Sequence, residues 1–499
     1  MDQTPFTKLY FGKSDPNHEL RSNPEDFIKS YVDVNGAIDR VVSGEVNLIL
    51  GPKGTGKSAL GLYIEKTSMK GRYFARMKNA SHLPLAEIPQ LKTGEPQGAV
   101  RTRNAWRFIL LSNYLDVALS DPETKISQIR DIRRVIKGLR DFGFMAADSG
   151  HSLLKAHGAK FTFPTSQVGS LFKEEGGREL GIYTLLPYLE RWAKSLTSPN
   201  RHILLLDGLD SIFLNDAAYD ESLSGLAQAA YEINIELMEA RATGSVVLLI
   251  RNDIFSRISL VLPDAHKMRD FAFDLDWRVL SGAAGVSSPL IQLINRKSGQ
   301  ERGDGPIDVL SYFPEKISPV GGRGGVRQRN PSRLQYLLNL TRHTPRDILQ
   351  LMEHIRLASM HLDPTPVKPL PIETIREGVL QYSTKYFVDA LHGEFAGYEG
   401  GREEAEAALQ ALKWMEDSRF TRGDYRRSLQ KHFPGLETKA DEFLRLLFFA
   451  GALGNLFDNG GERYLVFYHR RNDVDLNVQG TLVLHNALTH AWSKKFGLS

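Results

Sequence analysis

The sequence has no cysteine. That excludes disulfides, thiolate-held zinc or iron–sulfur centres and any thiol nucleophile in one step. Excess charge is also scarce: 63 Lys and Arg stand against 59 Asp and Glu, a net +4 over 499 residues. So small an imbalance gives no chain-wide field that would draw a polyanion. Long apolar runs are missing too. The longest, LLFFAGALGNLF at 446–457, is too short and too glycine-rich to span a bilayer. The first twenty residues lack a basic segment followed by an apolar core, so no secretory signal is read. The expectation is a soluble, cytoplasmic protein without membrane partners.

What remains is an ordinary globular balance, 41% hydrophobic and 24% charged. At ~100–200 residues per domain this length suggests two to four domains. Three short aliphatic runs read as buried strands: the one in EVNLILG, that in RHILLLDGLDSIF and that in SVVLLIRNDIF, with YFARM at 73–77 as a further candidate. Between them lie helical stretches, at 103–141, 182–196 and 220–239. Strands alternating with helices predict an α/β fold with a parallel sheet covered on both faces. Residues 143–182 have no clear period and read as an insertion. After Asp276 the pattern turns helical. At 396–475 three helical stretches precede a β-hairpin with its turn at 459–461.

The strongest local signal is GPKGTGKSA, made of Gly51, Pro52, Lys53, Gly54, Thr55, Gly56, Lys57, Ser58 and Ala59. It matches G-x-x-x-x-G-K-[ST] in full, after an aliphatic strand and at the start of a helical pattern, which is the context the motif needs. The glycines let the backbone fold into a nest of N–H groups, and the helix N-terminus adds partial positive charge. These residues predict a nucleotide site. Lys57 would bridge the β- and γ-phosphates, and the Ser58 hydroxyl would ligate Mg²⁺.

The partner motif lies some 150 residues on, where an aliphatic run ends at Asp207, the expected second holder of Mg²⁺. A glutamate that polarises the attacking water often follows such an aspartate; Gly208 stands there instead. Asp210 is the nearest acidic substitute for a general base, with capping of the next helix as its alternative use. Arg251 ends the next aliphatic run and would look at the γ-phosphate. Arg346, opening the amphipathic stretch in TRHTPRDILQLMEHI, would sense phosphate from the helical region. The bland alternative pairs Arg346 with Asp347 or Glu353.

Other features carry less. LSGLAQ at 223–228 looks superficially like a transporter-ATPase signature but follows the Asp207 run and lacks a second glycine. His485 and His490 are five apart, which separates them on a helix and implies no zinc pair. Arginines gather at 126–140, 323–333 and 419–427, so any polyanion contact should be local to those patches.

The order of parts, a P-loop, a strand ending DGLD, a strand ending in Arg and a helical region with PRD, resembles the AAA+/STAND side of the P-loop ATPases, including the origin-recognition type. More narrowly, FGKSDPNHEL, GPKGTGKSAL, LPDAHKMRDFAFDLDW, TPRDILQLM and HNALTHA are similar to a bacterial P-loop ATPase family often found in defence or mobile-element settings. The resemblance implies a three-layer ATPase core at 46–275 with a helical insertion at about 100–200. It further implies an α-helical lid at 276–395 and a C-terminal winged-helix-like domain at 396–499. An N-terminal segment, 1–45, is expected to pack on the core. By position, Arg251 would be the first sensor and Arg346 the second.

The expected activity is Mg²⁺-dependent ATP binding and hydrolysis, slow or partner-stimulated given Gly208, acting as a nucleotide switch with a homo-oligomer or protein partner. One alternative is a DNA-binding winged-helix protein with a regulatory or structural nucleotide. Its helix KADEFLRLLFFAGAL is mostly apolar and acidic, and the basic residues Arg422, Arg426, Arg427 and Lys431 lie one helix earlier. The other alternative is a scaffold that binds ATP without turnover.

Overall fold

The structure is a computed structural model. It describes residues 4–68, 72–80, 83, 99–141, 145, 160–161, 180–209, 217–262, 264–278, 288–299, 305–317, 331–362, 368–395, 398, 400–459, 462–470 and 474–494. The chain divides into two compact units: Asp33–Asp276, the core unit, and Met1–Val32 together with Trp277–Ser499, the discontinuous unit.

The core unit is built on five parallel strands: β1 (Leu48–Leu50), β2 (Tyr73–Asn79), β5 (Arg201–Asp207), β6 (Gly244–Ile250) and β7 (Ala272–Asp274). They run in the order β2-β5-β6-β1-β7. Two further short strands, β3 (Lys160–Phe161) and β4 (Leu180–Gly181), pair antiparallel as a separate ribbon. β1 and β6 are buried at every residue and β5 at all but its first, so helices must cover both faces. That is the three-layer α/β core the alternating pattern predicts. β7 was not read from the sequence. It is only three residues long and follows a charged stretch, and it forms by pairing with β1 on the side away from β6.

Because β1 starts late against β6, Val246 has no strand beside it on that edge. The side chain of Asn234 supplies the missing pair, donating to Val246 O and accepting from Val246 N, both at 2.8 Å. Asn234 lies on the long helix Ala217–Glu239, which packs with Ala99–Leu119 and Ile182–Ser195. The second of these three is apolar nearly all round, burying Trp106, Phe108, Leu110 and Tyr114. Arg107 on it is buried and ties the three together through Glu190 (2.6 Å), Glu232 (3.2 Å) and Glu236 (2.7 Å).

The discontinuous unit is largely helical, with a four-stranded antiparallel sheet β10-β9-β11-β8 made of β8 (Arg419–Phe420), β9 (Leu453–Asn459), β10 (Glu462–Val466) and β11 (Thr481–Leu484). Helix Gly401–Lys413, β8, helices Arg422–His432 and Ala440–Phe449, then the β9–β10 hairpin match the three helical stretches and hairpin read from the sequence at 396–475.

The N-terminal segment departs from expectation. Residues 1–32 belong to this unit and not to the core unit, while only 33–45 stay with the core. The reason is a set of long-range ties. Phe6 packs its ring against Phe11, Tyr312 and Phe313 (centroids 5.4–5.9 Å apart). The Lys297 ammonium donates to buried Glu19 at 2.6 Å and to Ser30 at 3.3 Å. Arg356 donates to Thr7 O at 3.1 Å and Gln350 to Ser14 at 2.6 Å. Among the described residues, no helix is long and apolar enough to cross a membrane.

Candidate nucleotide site

Parallel strands bring their carboxyl ends to one edge, and the candidate residues gather there. β1 runs into Gly51, β6 into Arg251, β5 ends at Asp207 and β2 at Asn79. β6 lies between β1 and β5, so at ~4.8 Å per strand the P-loop and Asp207 stand about 10 Å apart across the sheet.

The loop from Gly51 to Gly56 is shaped by three glycines with different reasons. Gly54 and Gly56 hold φ of +83° and +90°, where a side chain would be strained. At Gly51 a Cβ would meet Thr55 Oγ1 at 2.7 Å. Thr55 is held inside the loop by donating to Pro52 O at 2.9 Å. Helix α1 (Lys57–Thr67) follows, and its first intrahelical bond runs from Leu60 N to Gly56 O. The amides of Lys57, Ser58 and Ala59 precede that bond and sit at the helix mouth, where the dipole is positive. The first turn carries no acidic side chain that would compete for that charge.

Lys57 is 8% exposed, and its ammonium donates to Gly51 O (2.7 Å) and Pro52 O (3.0 Å), closing a ring over the loop. A desolvated ammonium held by carbonyls beside a nest of N–H groups is a strong electrostatic cradle for a polyphosphate. Asp207 is also 8% exposed, at the end of β5. Ser58 and Asp207 are both hard oxygen donors, which suits Mg²⁺ held by one or two protein groups plus phosphates. Among the described residues, no cluster of three or more His, Asp or Glu is arranged as an all-protein metal cage.

Arg251 is buried rather than a loose surface side chain. Its guanidinium makes a two-pronged bond to Asp253, at 3.0 and 2.8 Å, which fixes the cation at the tip of β6. Asp210 lies outside the described residues, as does most of the insertion expected at 143–182 and of the arginine cluster at 323–333. Arg346 belongs to the discontinuous unit, as second residue of helix Pro345–Leu362. Both partners proposed for it in the bland reading are taken by others: Asp347 by Arg342 at 3.0 Å and Glu353 by Arg356 at 2.7 Å.

Sequence reasoning missed Asn79. The register pairs it with Asp207, and its carboxamide fills the space beside Gly208, where a Cβ would meet Asn79 Oδ1 at 2.5 Å. The one available signal was a polar residue closing an otherwise strand-like run.

No family model matches the sequence, and no curated protein is detectably similar to it. Among solved structures, the chain is similar to the ORC2 protein of Aeropyrum pernix, determined as ADPNP–ADP complexes. The identity is 12% over 97% of this chain and 96% of that one, with a TM-score of 0.36.

Proposed function

We propose that this chain binds ATP with Mg²⁺ and hydrolyses it, as a nucleotide-driven switch of AAA+/STAND type. The observation that carries the reading is the loop itself: Gly54 and Gly56 in left-handed backbone, Lys57 folded over the loop carbonyls, and three helix-mouth amides directly after. In the proposed complex the Lys57 ammonium exchanges the Gly51 and Pro52 carbonyls for β- and γ-phosphate oxygens. The amides from Gly54 to Ala59 cradle the phosphates. Ser58 and Asp207 would hold Mg²⁺, whose role is to neutralise charge developing on the phosphates. Arg251, braced by Asp253, faces the γ-phosphate, and Arg346 couples nucleotide state to a change in an oligomer or partner contact. The resemblance in FGKSDPNHEL, TPRDILQLM and HNALTHA favours a cytoplasmic setting in bacterial defence or mobile elements.

The DNA-reading alternative draws less support. Among the basic residues of helix Arg422–His432, Arg422 is paired with Asp441 and Arg427 with Asp424. Asp441 also lies in the field of Arg426 and Arg445, so this patch is largely answered from within. Phosphate contacts need cations free to release counterions.

The deciding experiment is thermal unfolding with and without Mg²⁺–ATP. At a hundred times Kd, ligand should stabilise the core unit by about 2.7 kcal/mol, a shift on the order of 5–10 °C. Lys57→Ala should remove that shift; an unchanged shift in the variant overturns the reading.

A further inference from the structure

This inference rests on the nucleotide reading above and concerns how the same site handles hydrolysis. Parallel pairing sets Asn79 beside Asp207, one residue before Gly208. Gly208 has φ +75°, a conformation that strains any L side chain, and a Cβ there would lie 2.5–2.9 Å from three atoms of the Asn79 carboxamide. A glutamate at 208 would therefore need both a changed backbone and a displaced Asn79. Where a water-activating carboxylate could follow Asp207, the chain has instead placed an amide.

We infer that Asn79 is the positioning residue for the attacking water and that, because it is an amide, the site holds ATP rather than turning it over quickly. In the step, the water oxygen bonds to the γ-phosphorus while the bond from that phosphorus to the β–γ bridging oxygen breaks. ADP leaves with the electron pair. The Asn79 carbonyl oxygen can accept a hydrogen bond from the water but is far too weak a base to keep its proton. The proton therefore passes to a γ-phosphoryl oxygen and leaves with inorganic phosphate. A positioned base contributes ~10²–10⁴-fold in rate, and among the described residues this tip holds an amide where such a base would stand, which leaves a long-lived ATP state.

The test uses the full chain with Mg²⁺, a fluorescent ATP analogue for affinity and γ-³²P-ATP for single-turnover hydrolysis. Asn79→Asp places a carboxylate where the amide stands and should hydrolyse bound ATP at least about tenfold faster, with the gain disappearing as the pH falls and the carboxylate protonates. Asn79→Ala should slow the wild-type rate about fivefold or more with affinity unchanged, a readout that survives if the aspartate variant folds poorly. Binding without acceleration in Asn79→Asp, or an unaltered rate in Asn79→Ala, overturns this inference alone. Loss of turnover in Asp210→Asn also overturns it, since the base would then be Asp210. Failure of the wild type to bind ATP overturns the nucleotide reading, and this inference with it.

Discussion

The two units solve the problem of burial differently. The core unit buries aliphatic strands, and its polar residues stand at strand tips or on helix flanks, with Asp121 and His202 as its fully buried titratable pair (3.0 Å). The discontinuous unit puts charge and imidazole inside. Arg342 forks onto Asp347 at 3.0 Å and reaches Glu394 at 3.2 Å, and Tyr386 donates to the same aspartate at 2.9 Å. Burial alone would raise the Asp347 carboxyl, but the Arg342 guanidinium outweighs it and holds the group below the usual carboxylate range. Nearby, His485 stacks on Phe387 at 4.5 Å, and His469 lies 5.2 Å from His485. A core stabilised by non-directional burial tolerates changes of solvent. A unit organised by desolvated polar groups depends on each group keeping one protonation state.

Acid should expose this contrast most strongly. Burial lowers His469 far below its ordinary 6.5 and takes His485 to about 3 and His490 to about 4. The unfolded chain gains a proton on each near 6.5 while the fold refuses it. The stabilisation is thus complete above pH 6.5 and is lost as pH falls towards the folded values. Each such histidine contributes ~1.4 kcal/mol per pH unit, so the discontinuous unit should lose roughly 4 kcal/mol between pH 6 and 5. In the core unit, burial lowers His202 as well, partly opposed by Asp121, so a single histidine acts in the same direction and the slope is shallower. Denaturant midpoints at several pH values, with each unit followed by pulsed proteolysis, measure the two slopes; equal slopes would erase the distinction.

Breaking one ion pair comes next. Lys297→Met leaves Glu19 buried without its cation and should destabilise the discontinuous unit by about 3–5 kcal/mol, with the core unit's midpoint unchanged. Adding Glu19→Gln should recover much of the loss, because the uncompensated charge is gone. A single-variant effect below about 1 kcal/mol would show that the pair holds nothing in place.

The smallest effect sharpens the comparison most finely. Arg342 and Arg346 are four residues apart, yet Arg342 is buried and doubly paired, while Arg346 is half-buried with no hydrogen bond or ion pair among the described residues. Arg346→Ala should therefore shift stability by no more than about 0.5 kcal/mol. It should still abolish any ATP-dependent change in protease sensitivity, read as cleavage with and without nucleotide. A large stability loss would make Arg346 a structural residue like its neighbour.

Legibility in the sequence followed the range of the interactions. β1, β5 and β6 could be read because continuous aliphatic runs state their burial locally, and the P-loop because its chemistry lies in nine consecutive residues. β7 could not, since three residues carry too little pattern. Asn79 was silent because it reaches the site through strand register with a residue 128 positions later. The N-terminal segment was misplaced for the same reason. Glu19 is an ordinary surface-looking residue until Lys297, 278 positions away, is set beside it.

That separation has a consequence during synthesis. Residues 4–32 leave the ribosome ahead of the core unit, with Phe6, Leu9 and Phe11 ready to be buried, yet Tyr312 and Phe313 do not exist until the whole of 33–276 has been made. At ~5–20 residues per second, the wait lasts tens of seconds. The core unit can finish folding in that time, while residues 4–32 stay exposed to whatever binds unburied apolar side chains. The order of emergence thus makes a segment synthesised before the core unit one of the last to find its place.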